Sequence, residues 1–164
     1  LVLSWLVIVV VVGAVSAGVL VPRIGGATPY TILTGSMRPH YPPGTLVVVK
    51  PVAAAAVALG AVITYQIHSG KPEVVTHRVV QVGQDASGEP RWRTQGDANA
   101  VPDPGWVLPV QVKGELWYAV PFLGRANLIL TGQQRQTAVV AVAVMLFGYA
   151  GALWFGAARD RMAA

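Results

Sequence analysis

Uncharged apolar residues fill both ends of the chain, and short runs rich in β-formers fill the middle. From Leu1 to Pro22 no residue carries a charge, and 7–12 is unbroken Val and Ile. From Thr137 to Ala158 charge is again absent, and 139–146 holds only Val, Ala, Met and Leu. Each block is about 22 residues long, and a helix rising ~1.5 Å per residue then matches a hydrocarbon core of ~30 Å. Strands rarely exceed about 10 residues, so the pattern predicts a transmembrane helix at 1–22 and another at 137–158. The first block has a rival reading as a cleaved secretory signal, with Ala14-Val15-Ser16 as a small-residue site. Its apolar stretch exceeds the ~7–15 residues of a signal core, which favours a retained anchor. Neither a Met nor a basic stretch precedes it, so the natural start is expected upstream.

Between the blocks, 23–136 reads as β. The runs 30–33, 45–50, 61–67, 74–82, 91–94 and 112–120 are rich in Val, Ile, Thr, Tyr and Trp. Turn-forming residues separate them: Pro42-Pro43-Gly44, Ser69-Gly70, Ser87-Gly88 and Pro102-Asp103-Pro104-Gly105. The Ala/Val run 52–59 predicts a short helix or an irregular connection. The fold class is therefore mainly β, a compact domain flanked by two transmembrane helices.

Composition agrees with this division. Hydrophobic residues make up 54% of the 164 and charged residues 12%, half the usual charged share of about 25% in soluble domains. A disordered chain is excluded, since that needs low hydrophobicity and high net charge. Cysteine is absent, so disulfides, thiolate metal sites and a catalytic thiol are excluded. The net charge is +5, with ten Lys/Arg against six Asp/Glu in 23–136. That dispersed excess suits anionic lipid head groups rather than nucleic acid. Arg159 and Arg161 after the second block predict a short cytoplasmic tail, 159–164, and an extracytoplasmic middle domain.

Three stretches carry candidate chemistry: Thr34-Gly35-Ser36-Met37-Arg38-Pro39, Val75-Thr76-His77-Arg78-Val79, and Gln95-Gly96-Asp97-Ala98-Asn99 on to Asp103. They supply a hydroxyl, an imidazole and two carboxylates, the parts acyl transfer needs. A serine is a weak nucleophile without a base, and the base gains from a carboxylate that fixes its tautomer. Each stretch alone also has an ordinary structural reading. Ser36 suits a turn, His77 a half-buried strand histidine, and Asp97 and Asp103 Asx-turns. A calcium loop starting at Asp97 fails, because Val101 and Leu108 stand where oxygen ligands are required. His40 and His68 read as solvated loop histidines.

Order and context give these stretches a further meaning. They resemble type I signal peptidases, specifically the Ser–His branch found in the endoplasmic reticulum complex, archaea and some Gram-positive bacteria. The family's S-G-S-M-x-P element is similar to Thr34–Pro39, and its P-x-G-D-x-V-x-V element to Pro42-Pro43-Gly44-Thr45-Leu46-Val47-Val48-Val49. Its H-R-V/I element is similar to His77-Arg78-Val79, and its G-D-x-N-x-x-x-D element to Gly96-Asp97-Ala98-Asn99 through Asp103. Val120-Pro121-Phe122-Leu123-Gly124 resembles the closing P-x-L/I-G. The bacterial housekeeping branch carries Lys where this chain has His77, and the nearest lysine, Lys71, precedes the motif. Thr45 replaces the usual Asp, and His40 the common Thr.

The resemblance implies a signal-peptidase-like β catalytic domain with Ser36 as nucleophile and His77 as general base. It implies that Asp103 orients His77, with Asp97 as the alternative or a second supporting carboxylate. The oxyanion hole would use the Ser36 N–H and the Thr34 hydroxyl. No metal or cofactor is implied. The expected substrates are exported preproteins with signal peptides, cut after small-x-small sites at a cell membrane by a multi-pass enzyme; partner subunits are left open. Two alternatives compete: another membrane-anchored serine protease on the same scaffold, and a non-catalytic β module in which Ser36 is structural.

Overall fold

The computed structural model of the chain describes residues 2–125 and, beyond them, positions 137, 140, 141, 144–146, 148–152 and 154. Helix α1 covers Val2–Val15, a π-helical turn follows at Ser16–Leu20, and α2 covers Val21–Ile24. The wide turn ends just before Pro22, which has no N–H to give Gly18 and whose ring would crowd the Gly18 carbonyl in an α-turn. The run stops at Gly25-Gly26, where Gly26 adopts a left-handed φ of 63° and the Ala27 N–H returns to the Pro22 carbonyl at 2.8 Å. Among the described residues no helix is long and apolar enough to cross a membrane. The second apolar block, 137–158, is helical at the positions described within it; its remaining positions, and the tail 159–164, lie outside the described residues.

The middle of the chain is one antiparallel sheet of six strands: β1 Thr28–Thr31, β2 Leu46–Lys50, β3 Val62–Gln66, β4 Val74–Gln84, β5 Pro90–Gln95 and β6 Val112–Val120, in the order β1-β2-β6-β3-β4-β5. The Ala/Val run resolves into a single 3-10 turn at Ala54–Ala56. β2 is buried on both faces from Leu46 to Val49, which explains its unbroken aliphatic sequence. β6 crosses between β2 and β3, and at Gly114 an added Cβ would collide with the Lys50 carbonyl oxygen. β4 slips register between Val79 and Gln81, so its first half is buried while its second half runs on in solvent beside β5.

One core cluster lies under β3, β4 and β5: Val57, Ile63, Tyr65, Val79, Trp92 and Val107. Trp92 anchors it, its indole N–H donating to the Val57 carbonyl at 3.2 Å. Trp92 and Val107 also exchange backbone hydrogen bonds, which ties the 96–107 loop back onto β5. The N-terminal helical run is fixed to the sheet as well. The Tyr118 hydroxyl donates to the Ala17 carbonyl at 2.5 Å, Gly18 faces Leu46 and Leu123, and Pro22 is buried.

Candidate active site

Ser36 sits in the loop between β1 and β2. Met37, 0% exposed, plugs this loop into the protein, while Arg38 N–H to Gly35 O (3.1 Å) and Tyr41 N–H to Met37 O (2.8 Å) shape its turns. The 96–103 loop is laced to the same place, because the Ala98 N–H donates to the Ser36 carbonyl at 2.8 Å. Only glycine fits at position 96: a Cβ there would lie 2.7 Å from Ser36 O and 2.9 Å from Ser36 Cβ. Among the described residues the Ser36 N–H has no hydrogen-bond acceptor.

His77 stands on β4 directly across from Ile63 of β3 and is 6% exposed. Its Nε2 lies 3.0 Å from Ser36 Oγ, and its Nδ1 lies 2.6 Å from Asp103 Oδ2. Asp103 is held by its own backbone, whose N–H donates to the Thr94 carbonyl at 2.7 Å. Its Oδ2 also accepts from the Thr94 hydroxyl at 2.7 Å and the Tyr65 hydroxyl at 3.2 Å. The structure thus brings Ser36, His77 and Asp103 into one hydrogen-bonded line. Thr34 joins at its open end, with Oγ1 3.1 Å from Ser36 Oγ.

No family model matches the chain. Among curated proteins it is similar to the signal peptidase complex catalytic subunit SEC11C of Rattus norvegicus, 26% identical over 132 residues covering 75% of this chain and 68% of the relative. It is also similar to the putative signal peptidase complex catalytic subunit SEC11B of Homo sapiens, 26% identical over 130 residues covering 75% and 78% of the two chains. The chain is a distant relative of signal peptidase catalytic subunits. That is the group its motif order resembles.

Asp97, the alternative partner for His77, is engaged elsewhere. It takes a two-pronged bond from Arg78 Nε and an outer guanidinium nitrogen, both at 2.8 Å, and lies 2.9 Å from His40 Nδ1. The Arg78 hydrogen bonds hold its carboxyl below the usual carboxylate range, and Asp97 in turn raises Arg78. His40 is solvated as its sequence context suggested, with a side chain 63% exposed, and its ring also closes on Asp97. Thr45, in the place of the usual Asp, is buried and gives its hydroxyl to the Pro42 carbonyl at 2.7 Å. Lys71 lies exposed in the β3–β4 turn.

Two residues absent from the sequence reading touch the site: Tyr65 and Thr94. Burial pushes the Tyr65 phenol up to about 12, with the Asp103 charge adding to the rise. Neither residue belongs to a recognisable motif, and only the pairing of β3, β4 and β5 brings them to Asp103. Beside His77 and Asp103 opens a cavity of about 230 Å³, walled by Ile67, Val75, Trp106 and Gln111.

Proposed function

We propose that this chain is a membrane-anchored serine endopeptidase that removes signal peptides from exported proteins. The observation that carries the reading is the line from Asp103 through His77 to Ser36, with spacings of 2.6 and 3.0 Å. Ser36 Oγ attacks the carbonyl carbon of the scissile bond while its proton passes to His77 Nε2. Asp103, on the other ring nitrogen, keeps Nε2 free to accept and stabilises the imidazolium that results. The tetrahedral oxygen takes the Ser36 N–H, with the Thr34 hydroxyl as second donor. Thr34 Oγ1, 3.1 Å from Ser36 Oγ, is close enough to turn its single proton from Ser36 to that oxygen as the tetrahedral intermediate forms. His77 then returns the proton to the leaving amine as the C–N bond breaks. A water, deprotonated by the same nitrogen, splits the acyl ester and restores Ser36.

Histidine suits this work near neutral pH because its ordinary pKa of ~6.5 needs little adjustment, whereas a lysine base would need strong depression by burial. The substrate binds extended. β1 is one of the two edges of the sheet and leads into the Ser36 loop, so a preprotein strand added there would carry its cleavage site past Ser36. Small residues at the first and third positions before the cut are what the family resemblance implies.

The anchor confines enzyme and substrate to one surface and raises their effective concentration. α1, the π-turn and α2 follow one another without a gap from Val2 to Ile24. At ~1.5 Å per residue such a run reaches about 34 Å, enough for a hydrocarbon core. Trp5, Leu6, Val9, Val10 and Val12 are exposed along it, as lipid-facing side chains would be. With 137–158 as a second span, the β domain lies on the extracytoplasmic side and the enzyme is multi-pass. Purified in detergent micelles, the chain should cut a preprotein after an Ala-x-Ala site, and Ser36→Ala should abolish the cut. Undiminished cleavage by S36A would overturn the reading.

A further inference from the structure

We propose that the hydroxyls of Tyr65 and Thr94 are positioning groups that clamp Asp103 Oδ2 with uncharged donors, leaving the carboxylate's whole charge for His77. This rests on the reading of Ser36 and His77 given above. The clamp is a product of the sheet. β4 carries His77 in the middle, Tyr65 comes from β3 on one side, and Thr94 comes from β5 on the other. Tyr65 pairs with Val75, and Thr94 with Val79, both two residues from His77, so all these side chains share one face.

Proton accounting fixes the directions. Asp103 Oδ2 accepts from Thr94 Oγ1 at 2.7 Å, which leaves the Thr94 oxygen to accept from the Tyr65 hydroxyl at 2.9 Å. The Tyr65 proton also lies within reach of Asp103 Oδ2, at 3.2 Å. Both hydroxyls are buried, Tyr65 at 7% exposure and Thr94 at 0%, and a buried hydroxyl without a partner is costly. They therefore have strong reason to stay on the carboxylate. The raised Tyr65 phenol keeps its proton through any working pH.

What the clamp lacks is a cation. Among the described residues the ion partner of Asp103 is His77, and the neighbouring guanidinium of Arg78 belongs to Asp97, which also holds His40. An arginine on Asp103 would offset its charge. Hydroxyls orient the oxygen and stabilise its ionised form without doing so. When His77 takes the Ser36 proton, the imidazolium meets an uncompensated carboxylate already in position.

The test uses the full chain in detergent micelles with a preprotein bearing an Ala-x-Ala site, comparing Tyr65→Phe, Thr94→Val and Thr94→Ser. Loss of a hydrogen bond to a charged group predicts a fall in kcat of about tenfold for T94V, and a smaller fall of about threefold for Y65F, whose single proton is shared between Thr94 and Asp103. KM should stay within about twofold of the parent, because both hydroxyls act on Asp103 and not on the scissile bond. With a donor lost, Asp103 is held less firmly against His77 and supports the imidazolium less well, so the acid limb of kcat/KM should move to lower pH. T94S restores the hydroxyl and should recover most of the rate. The clamp is overturned if Y65F and T94V keep the parent kcat, if their acid limbs do not move, or if T94S is as slow as T94V. Should T94V fail to fold, Y65F decides alone, since it removes one oxygen and leaves the ring. Activity in S36A would instead strike down the underlying protease reading, an outcome separate from all of these.

Discussion

Replacing Asp103 by Asn tests the geometry of the site more sharply than removing it. A carboxamide presents one oxygen and one NH₂ group, and which of them meets His77 decides the imidazole tautomer. If the NH₂ faces Nδ1, that nitrogen has to accept, its proton moves to Nε2, and Ser36 loses its base; such a swap costs about 10⁴ in rate in serine proteases of the triad type. Here Oδ2 is surrounded by donors: His77 Nδ1, the Thr94 hydroxyl and the Tyr65 hydroxyl. An NH₂ turned into that position would face two hydroxyls as well as the ring. The amide oxygen therefore takes it, and the correct tautomer survives. What D103N loses is the charge. Opposite charges about 4 Å apart interact by roughly 4 kcal/mol at an effective dielectric of 20, and a charge-assisted hydrogen bond is about twice as strong as a neutral one. Allowing for partial solvent access to Asp103, we expect kcat to fall roughly 10²–10³-fold with KM little changed. The assay is single-substrate preprotein cleavage across the pH range, with thermal unfolding to show that the variant is folded. A loss under about threefold would mean that Asp103 does not support His77; a loss of 10⁴ or more would refute the argument that the clamp orients the amide.

Asp97→Asn should behave differently. Its carboxyl is held below the ordinary range by Arg78, so the stability it contributes is present above the unfolded-state value of ~3.9 and is lost as pH falls through the lower folded value. D97N should therefore be less stable than the parent near neutral pH, by about 1–3 kcal/mol for a charged hydrogen-bonded pair, with the gap closing in urea unfolding as pH falls below the ordinary carboxylate range. A constant gap at every pH would contradict the ion-pair account. Gly96→Ala places a methyl within 3 Å of the Ser36 carbonyl and Cβ and should push the two loops apart. We expect a stability loss of about 1–3 kcal/mol together with a fall in kcat of at least about tenfold. Parent-like kinetics in G96A would show that the loop contact does not set the Ser36 position.

Much of the sheet was legible because strand-forming runs and turn residues carried it. The run 112–120 is β6 as observed, and 74–82 anticipates most of β4. The misjudged ends have physical causes. β1 starts and stops two residues earlier than the 30–33 run, because Ile32 and Leu33 leave the strand to enter the Ser36 loop, with Ile32 still bonded to Thr45 and Gly44. β4 outlasts its apolar pattern because Gln81–Gln84 keep pairing with β5 beyond the register slip, where β4 itself is mostly exposed. The side chains that hold Asp103 were beyond reach. Tyr65 lies 38 positions and Thr94 nine positions away, and nothing local in either stretch marks a hydroxyl for a carboxylate.

The different partners of the two aspartates, which the sequence leaves open, follow from local geometry once the strands are in place. Successive residues on a strand point to opposite faces. His77 and Arg78 are successive on β4, so one faces the Tyr65–Trp92 core and the other leaves it. Both seek an acceptor, and the single loop 96–103 offers two. A carboxylate on the Arg78 face takes the guanidinium, as Asp97 does at 2.8 Å with two bonds. The carboxylate on the His77 face is then left with the imidazole as its ion partner among the described residues, as Asp103 is. The same strand alternation that separates the pair thus keeps a permanent positive charge off Asp103.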